Sequence, residues 1–259
     1  MKTNTSTIGI FLSILFLFCS NIVFSQIVNI EKKRTSKQDS VYWTGDINLG
    51  AALIQNSKQI VSINTAMRID YTRYRHVFMS ISDYRLGRVD NNDFINTGFQ
   101  HFRYNYKINK RWSLEAFTQA QYNEQIQLQL RWLLGVGPRI GLLLDEKKQL
   151  YLGTLYMYEY AEEKAEGEEV LFFREHRLST YLNVHLQPLD YLKISSTTYF
   201  QPVITSPDDF RLSTETAVEM KITERLTFTT IFSLLYDSTS PSGIRKTIYS
   251  LKNGLRLKF

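Results

Sequence analysis

Cysteine is nearly missing: Cys19 is the only one in 259 residues. It sits in the first apolar run, so the remainder of the chain has neither a disulfide framework nor a thiolate metal site. Proline is scarce as well, at 5 residues, which suits long uninterrupted strands. Long apolar runs are also lacking. Ile8 to Phe18 is the one exception, and its roughly eleven residues fall well short of the ~20 that a membrane helix needs. A helical membrane protein is thereby excluded. Basic charge is not concentrated anywhere. The net charge is +6, from 31 basic and 25 acidic residues, but the basic side chains fall at alternate positions instead of forming a patch. That argues against a nucleic-acid partner. Recognisable catalytic spacing is missing too. His76, His101, His176 and His185 include no pair at i, i+2 or i+4, and no Gly-x-Ser-x-Gly elbow occurs. No metal ligands and no cofactor are expected.

Lys2, the run Ile8 to Phe18 and Val23-Phe24-Ser25 read as a signal peptide over 1–25, with Gln26 opening the mature chain. Phe18 precedes Cys19 where lipoprotein processing needs a small residue, so lipidation is not expected. A short periplasmic segment, 26–43, would then lead into a β domain over 44–259. The Ser25-Gln26 junction hints at a Gram-negative Bacteroidota export.

What the chain does have is one repeated device: ten or so residues alternating apolar and polar, then a turn. Period two places alternate side chains on opposite faces of a strand. Val61, Ile63, Thr65, Met67, Ile69 and Tyr71 oppose Ser62, Asn64, Ala66, Arg68 and Asp70. Trp112, Leu114, Ala116, Thr118, Ala120 and Tyr122 oppose Ser113, Glu115, Phe117, Gln119 and Gln121, and Leu226 to Tyr236 repeat the scheme. The pattern predicts twelve strands, at 44–55, 59–71, 76–87, 94–108, 111–123, 126–144, 149–161, 171–187, 190–202, 209–221, 225–237 and 246–259. Short polar connections (109–111, 145–148, 187–190, 223–224) alternate with longer ones at Arg88 to Asp93, Ala161 to Val170, Thr205 to Asp209 and Asp237 to Arg245. Together these predict an all-β fold: a transmembrane antiparallel up-and-down β-barrel in the outer membrane, with both termini periplasmic.

Aromatic side chains gather near strand ends, among them Trp112, Trp132, Tyr156, Tyr158, Tyr191 and Tyr249, as a headgroup girdle requires. In the last strand Tyr249, Leu251, Leu255, Leu257 and Phe259 share the outward phase, while Lys252, Arg256 and Lys258 point inward. With the apolar set against lipid, the lumen is lined by Arg68, Asp70, Glu115, Arg131, Arg139, Glu159, Arg177, Arg211, Glu215 and Asp237. Two readings stand side by side: a closed lumen filled by arginine–carboxylate pairs, or a narrow aqueous pore with a mild anion preference. In the sixth strand Leu128 is placed outward, and Gly135, Gly137 and Gly141 leave an inward groove beside Arg139. The groove either receives a ring such as Tyr151 or Tyr181 or widens a passage, and Pro138 calls for a local break or bulge.

Gly135-Val136-Gly137-Pro138-Arg139, Leu150-Tyr151-Leu152-Gly153, Tyr156-Met157-Tyr158-Glu159, Phe200-Gln201-Pro202, Asp209-Phe210-Arg211-Leu212, Ile222-Thr223-Glu224-Arg225-Leu226 and Tyr236-Asp237-Ser238 are familiar motifs. The chain from about Thr44 to Phe259 resembles the salt-induced outer-membrane protein family, a domain family of unknown function. The resemblance implies an outer-membrane barrel and no established substrate. Expected partners are outer-membrane lipid and lipopolysaccharide, the barrel-assembly machinery through Phe259, and small ions or solutes. The expected function is non-enzymatic, as a narrow channel or an envelope-structural barrel linked to salt or osmotic stress. The alternative is an outer-leaflet lipid-modifying enzyme, which would need His176 at the rim beside a nucleophile. The acidic run Glu162, Glu163, Glu166, Glu168 and Glu169 reads as a solvated loop or as a holder of divalent cations that bridge lipopolysaccharide.

Overall fold

The computed structural model describes residues 41–55, 59–90, 92–164, 169–240 and 243–257, with side chains included except at 92–94. The expected signal peptide, Cys19, most of the N-terminal segment, Glu166, Glu168, Lys258 and Phe259 lie outside these residues.

Alternation without helical spacing produces strands only. β1 (Val41–Gln55), β2 (Gln59–Arg73), β3 (His76–Val89), β4 (Asn92–Lys107), β5 (Trp112–Asn123), β6 (Leu128–Leu144), β7 (Lys148–Lys164), β8 (Val170–Leu189), β9 (Leu192–Pro202), β10 (Phe210–Lys221), β11 (Leu226–Asp237) and β12 (Thr247–Leu257) follow in chain order. They form one antiparallel twelve-stranded sheet in which each strand pairs with its sequence neighbours. This is an up-and-down β-barrel, and each predicted strand has its counterpart. Among the described residues, β1 pairs with β2 alone and β12 with β11 alone.

Contacts that span several strands show how the sheet curls. Tyr181 on β8 donates to Glu115 on β5 at 2.7 Å, and Arg211 on β10 reaches Glu159 on β7 at 2.6 Å. Such chords exist only on the concave side, which fixes the inner face.

Strands run further than the alternation alone suggested. β3 extends to Val89 and β4 begins at Asn92, so the long connection expected between Arg88 and Asp93 shrinks to 90–91. β7 and β8 likewise reach Lys164 and Val170. Ladder hydrogen bonds add free energy per residue paired, so edge residues of neutral propensity join when a partner strand is in reach. A short 3-10 turn, Glu124–Ile126, joins β5 to β6, capped by the Asn123 side chain accepting from the Gln125 amide.

Leu128 is corrected from outward to buried. The register slips between Leu128 and Leu130 against β7, and again between Gly141 and Leu143. One extra residue in a strand reverses which face its neighbours take, so the predicted phase holds only between the two slips. Leu143, expected inward, is exposed accordingly. Pro138 brings the break and not the bulge: the β7 ladder omits the positions between Val136 and Arg139, while on the other side Pro138 stays in register opposite Leu114.

Candidate functional site: the inner face of the barrel

The side chains predicted to line the lumen lie on the concave face, in two layers separated by apolar rings. At the end bearing the longer connections, Glu159 on β7 is only 1% exposed and meets three guanidinium groups. Arg211 Nη1 contacts both its oxygens, at 2.6 and 2.8 Å. Arg131 Nε lies at 2.9 Å and Arg177 Nε at 2.8 Å. These arginines hold further acids: Arg131 with Glu163 at 3.4 Å, Arg211 with Asp237 at 2.7 Å, Arg177 with Asp209 at 3.1 Å and with Glu175. Arg177 also donates to the Gln201 carbonyl at 3.1 Å. Arginine presents several donors in a planar fork, so one guanidinium bridges two carboxylates at once. Glu215 lies lower on β10 and accepts from Ser233 at 3.4 Å.

The second charged layer sits toward the short turns. Glu115, fully buried, accepts from Arg103 at 3.2 Å and from Tyr181 at 2.7 Å, with Arg139 Nε at 3.8 Å. Arg139 lies flat on Tyr151, its guanidinium carbon 3.7 Å from the ring centre. Arg68 pairs with Asp70 at 2.8 Å.

Between the layers Phe117, Leu133, Leu155, Met157, Tyr181 and Tyr199 form one buried apolar cluster. Alternation gave no warning of it, because lumen faces were expected to be polar. The available signal was Leu155-Tyr156-Met157-Tyr158, which is apolar in both phases. The glycine groove proves to be filled. A Cβ on Gly135 would stand 2.3 Å from Phe117, one on Gly153 2.2 Å from Tyr181, and one on Gly137 2.2 Å from the Thr154 carbonyl oxygen. Only glycine permits such approach. The ring over β6 is thus Phe117 rather than Tyr151 or Tyr181, and no passage opens there. Buried polar groups that the pattern did not single out complete the packing: His101 bonds Gln119 at 3.0 Å, Asn183 donates to Thr197 at 2.8 Å, and Gln201 donates to Ser179 at 2.9 Å.

The inner faces of β1 and β12 are unlike this wall. Asn48, Gly50, Ala52, Gly254 and Arg256 are exposed. A Cβ on Gly254 would meet nothing within 4 Å, and one on Gly50 nothing nearer than 3.9 Å. Arg256 and Glu219 form a loose contact at 3.7 Å, with side chains 61% and 45% exposed. A cavity of about 100 Å³ lies at the short-turn end, bounded by inner residues of β1 to β8.

Outside, the apolar set stands exposed: Leu130, Trp132, Leu134 and Val136 on β6, and Tyr249, Leu251, Leu255 and Leu257 on β12. His176 is outward and exposed, bonded through Nδ1 to the Tyr156 hydroxyl at 2.5 Å and packed against Tyr158. Ser179 is buried on the opposite face. Glu162 accepts from the Tyr160 hydroxyl at 2.6 Å and Glu163 pairs with Arg131. Among the described residues no group of three potential metal ligands gathers. The turns at one end are tied by Lys147 and Asp190, 2.8 Å apart. The hydrogen bond and opposite charge of Lys147 hold the Asp190 carboxyl below its ordinary range, and the same contact raises the Lys147 ammonium.

A family model described as "Protein of unknown function, DUF481" matches residues 47–259. No curated protein sequence matches the chain. Among solved structures the chain is similar to the NanC porin, with 9% identity over 76% of this chain and 94% of that one and a TM-score of 0.47. It is also similar to the KdgM porin in complex with disordered oligogalacturonate, with 10% identity over 83% of this chain and 99% of that one and a TM-score of 0.41.

Proposed function

We propose that this chain, which belongs to the DUF481 family of proteins of unknown function, is an outer-membrane barrel that is packed shut along one wall and passes water and small ions along the other. The contrast between the two inner walls carries the reading. From β4 to β8 and at the start of β10 the buried carboxylates Glu115 and Glu159 are shared among arginines and a cluster of rings fills most of the space between, whereas β12, β1 and the far end of β10 present exposed polar and glycine positions. Membrane insertion is supported by the even strand number, by strands no shorter than the 11 residues of β9 and β12, and by the exposed apolar and aromatic outer face. In hydrocarbon every backbone group must be paired within the barrel, so β1 and β12 meet along the seam when the protein sits in lipid.

Outer-membrane lipid and lipopolysaccharide cover the outer face, and the assembly machinery reads the last strand with its terminal Phe259. A path for small ions lined by both charge signs fits a role under salt or osmotic stress. Planar-bilayer recording on the refolded full chain is the test. Small discrete conductance steps are expected, and Lys252→Glu on the inner face of β12 should shift the reversal potential in a salt gradient toward cation preference. A trace without steps would contradict the conduit and favour a sealed barrel that stiffens the envelope.

A further inference from the structure

The cavity at the short-turn end has a composition that the conduit does not require. Its lining brings three cations, Arg68, Lys107 and Arg139, together with one carboxylate, Asp70. Nearby groups narrow the imbalance without reversing it: Asp46 stands opposite Arg68 in the β1–β2 register, and Glu115 is shared by Arg103 and Arg139. Positive charge stays ahead by one even when all of these are included. Walls of low polarisability concentrate such an excess, because field lines have no solvent in which to spread.

The cavity is also shaped for a small ligand. Its volume of about 100 Å³ equals roughly three waters at ~30 Å³ each, room for one oxyanion with a few heavy atoms. Arg139 is held in place by the Tyr151 face 3.7 Å beneath it, so its fork needs little reordering to meet an oxyanion. It shares Glu115, at 3.8 Å, with Tyr181, which donates to that carboxylate at 2.7 Å. Lys107 closes β4 at the rim of the same space, and His185 on β8 faces it from the far side. Hydroxyls of Thr72 and Ser113 complete a donor-rich lining.

We infer that this cavity is a binding site for a small oxyanion of phosphate size, entered from the end with the short turns. The inference goes beyond the conduit reading, since the site binds whether or not ions cross the barrel. Inorganic phosphate is the probe: it is titrated calorimetrically into the refolded full chain in detergent micelles, with chloride at equal ionic strength as the control. Saturable binding near one phosphate per chain is expected. Lys107→Gln and Arg139→Gln should each weaken it tenfold or more, and Lys147→Gln, in an exposed turn, should leave it unchanged. Heats equal to those of chloride, or full binding by Lys107→Gln, would overturn the site. Far-UV circular dichroism checks that each variant folds, and should Arg139→Gln not fold, Lys107→Gln decides alone. Intact phosphate binding beside a flat bilayer trace would sink the conduit and leave the site standing. Conductance steps without phosphate binding would do the reverse.

Discussion

Glycine behaves in opposite ways on the two sides of this barrel. On β6 and β7, Gly135 and Gly153 exist to be covered, each under an aromatic ring at a distance no Cβ would allow. On β12 and β1, Gly254 and Gly50 look into open space. The charges divide in the same way. Glu159 is enclosed by three arginines, while Glu219 and Arg256 touch loosely in the open. One β-barrel sequence can therefore build a packed interior and a wet interior on the same concave face. The difference lies in whether small inward residues face large rings on neighbouring strands, as Gly135 and Gly153 do, or face other small residues, as Asn48, Gly50, Ala52 and Gly254 do.

The largest expected effect tests the charged layer. Glu159→Gln removes the carboxylate and leaves Arg131, Arg177 and Arg211 crowded together, so unfolding by urea in micelles should show a loss of about 3–5 kcal/mol. Glu219→Gln, its counterpart on the open side, should cost no more than about 1 kcal/mol. Equal shifts in midpoint would erase the distinction between the walls. The glycines give the next effect. Gly135→Val must push Phe117 aside and should destabilise by about 1–3 kcal/mol, whereas Gly254→Val should leave the midpoint where it was. A tolerant Gly135 would mean that Phe117 has another place to go.

Much of this was legible beforehand. The twelve strands and their phase follow from alternation, since in a barrel one face meets lipid and the other does not. The slips at Leu128 and Leu143 were not legible, because a bulge changes phase without changing composition. Nor was the plug, since Leu155 and Met157 sit between outward tyrosines and make both phases apolar. Pairing was beyond reach for another reason. Arg211 and Glu159 are 52 residues apart and three strands distant, and which chords cross a lumen depends on curl and stagger, which no local pattern encodes. The lumen glycines showed that something approaches β6 closely, without showing that it is Phe117.

The smallest effect concerns a contact outside both walls. Lys147 and Asp190 are fully solvated, so Asp190→Asn should barely move stability at neutral pH. Its pH signature has a definite sign. With the Asp190 carboxyl lowered and the Lys147 ammonium raised, the contribution is complete across the neutral range. It is lost in acid as pH falls through the lowered Asp190 value, and in strong alkali as pH rises through the raised Lys147 value. A stability difference between wild type and Asp190→Asn that changed between pH 6 and pH 8 would contradict this assignment.

With Cys19 the only native cysteine, single cysteines placed on the barrel of a Cys19→Ser chain report the two walls directly. Asn48→Cys and Gly254→Cys probe the open side, and Met157→Cys and Ser179→Cys probe the packed side. Each protein is reconstituted in liposomes and treated with a charged, membrane-impermeant thiol reagent. Rapid modification at 48 and 254, with 157 and 179 reacting only after unfolding, is the expected result. Comparable rates at all four positions, or protection at 48 and 254, would contradict a barrel packed on one side and wet on the other.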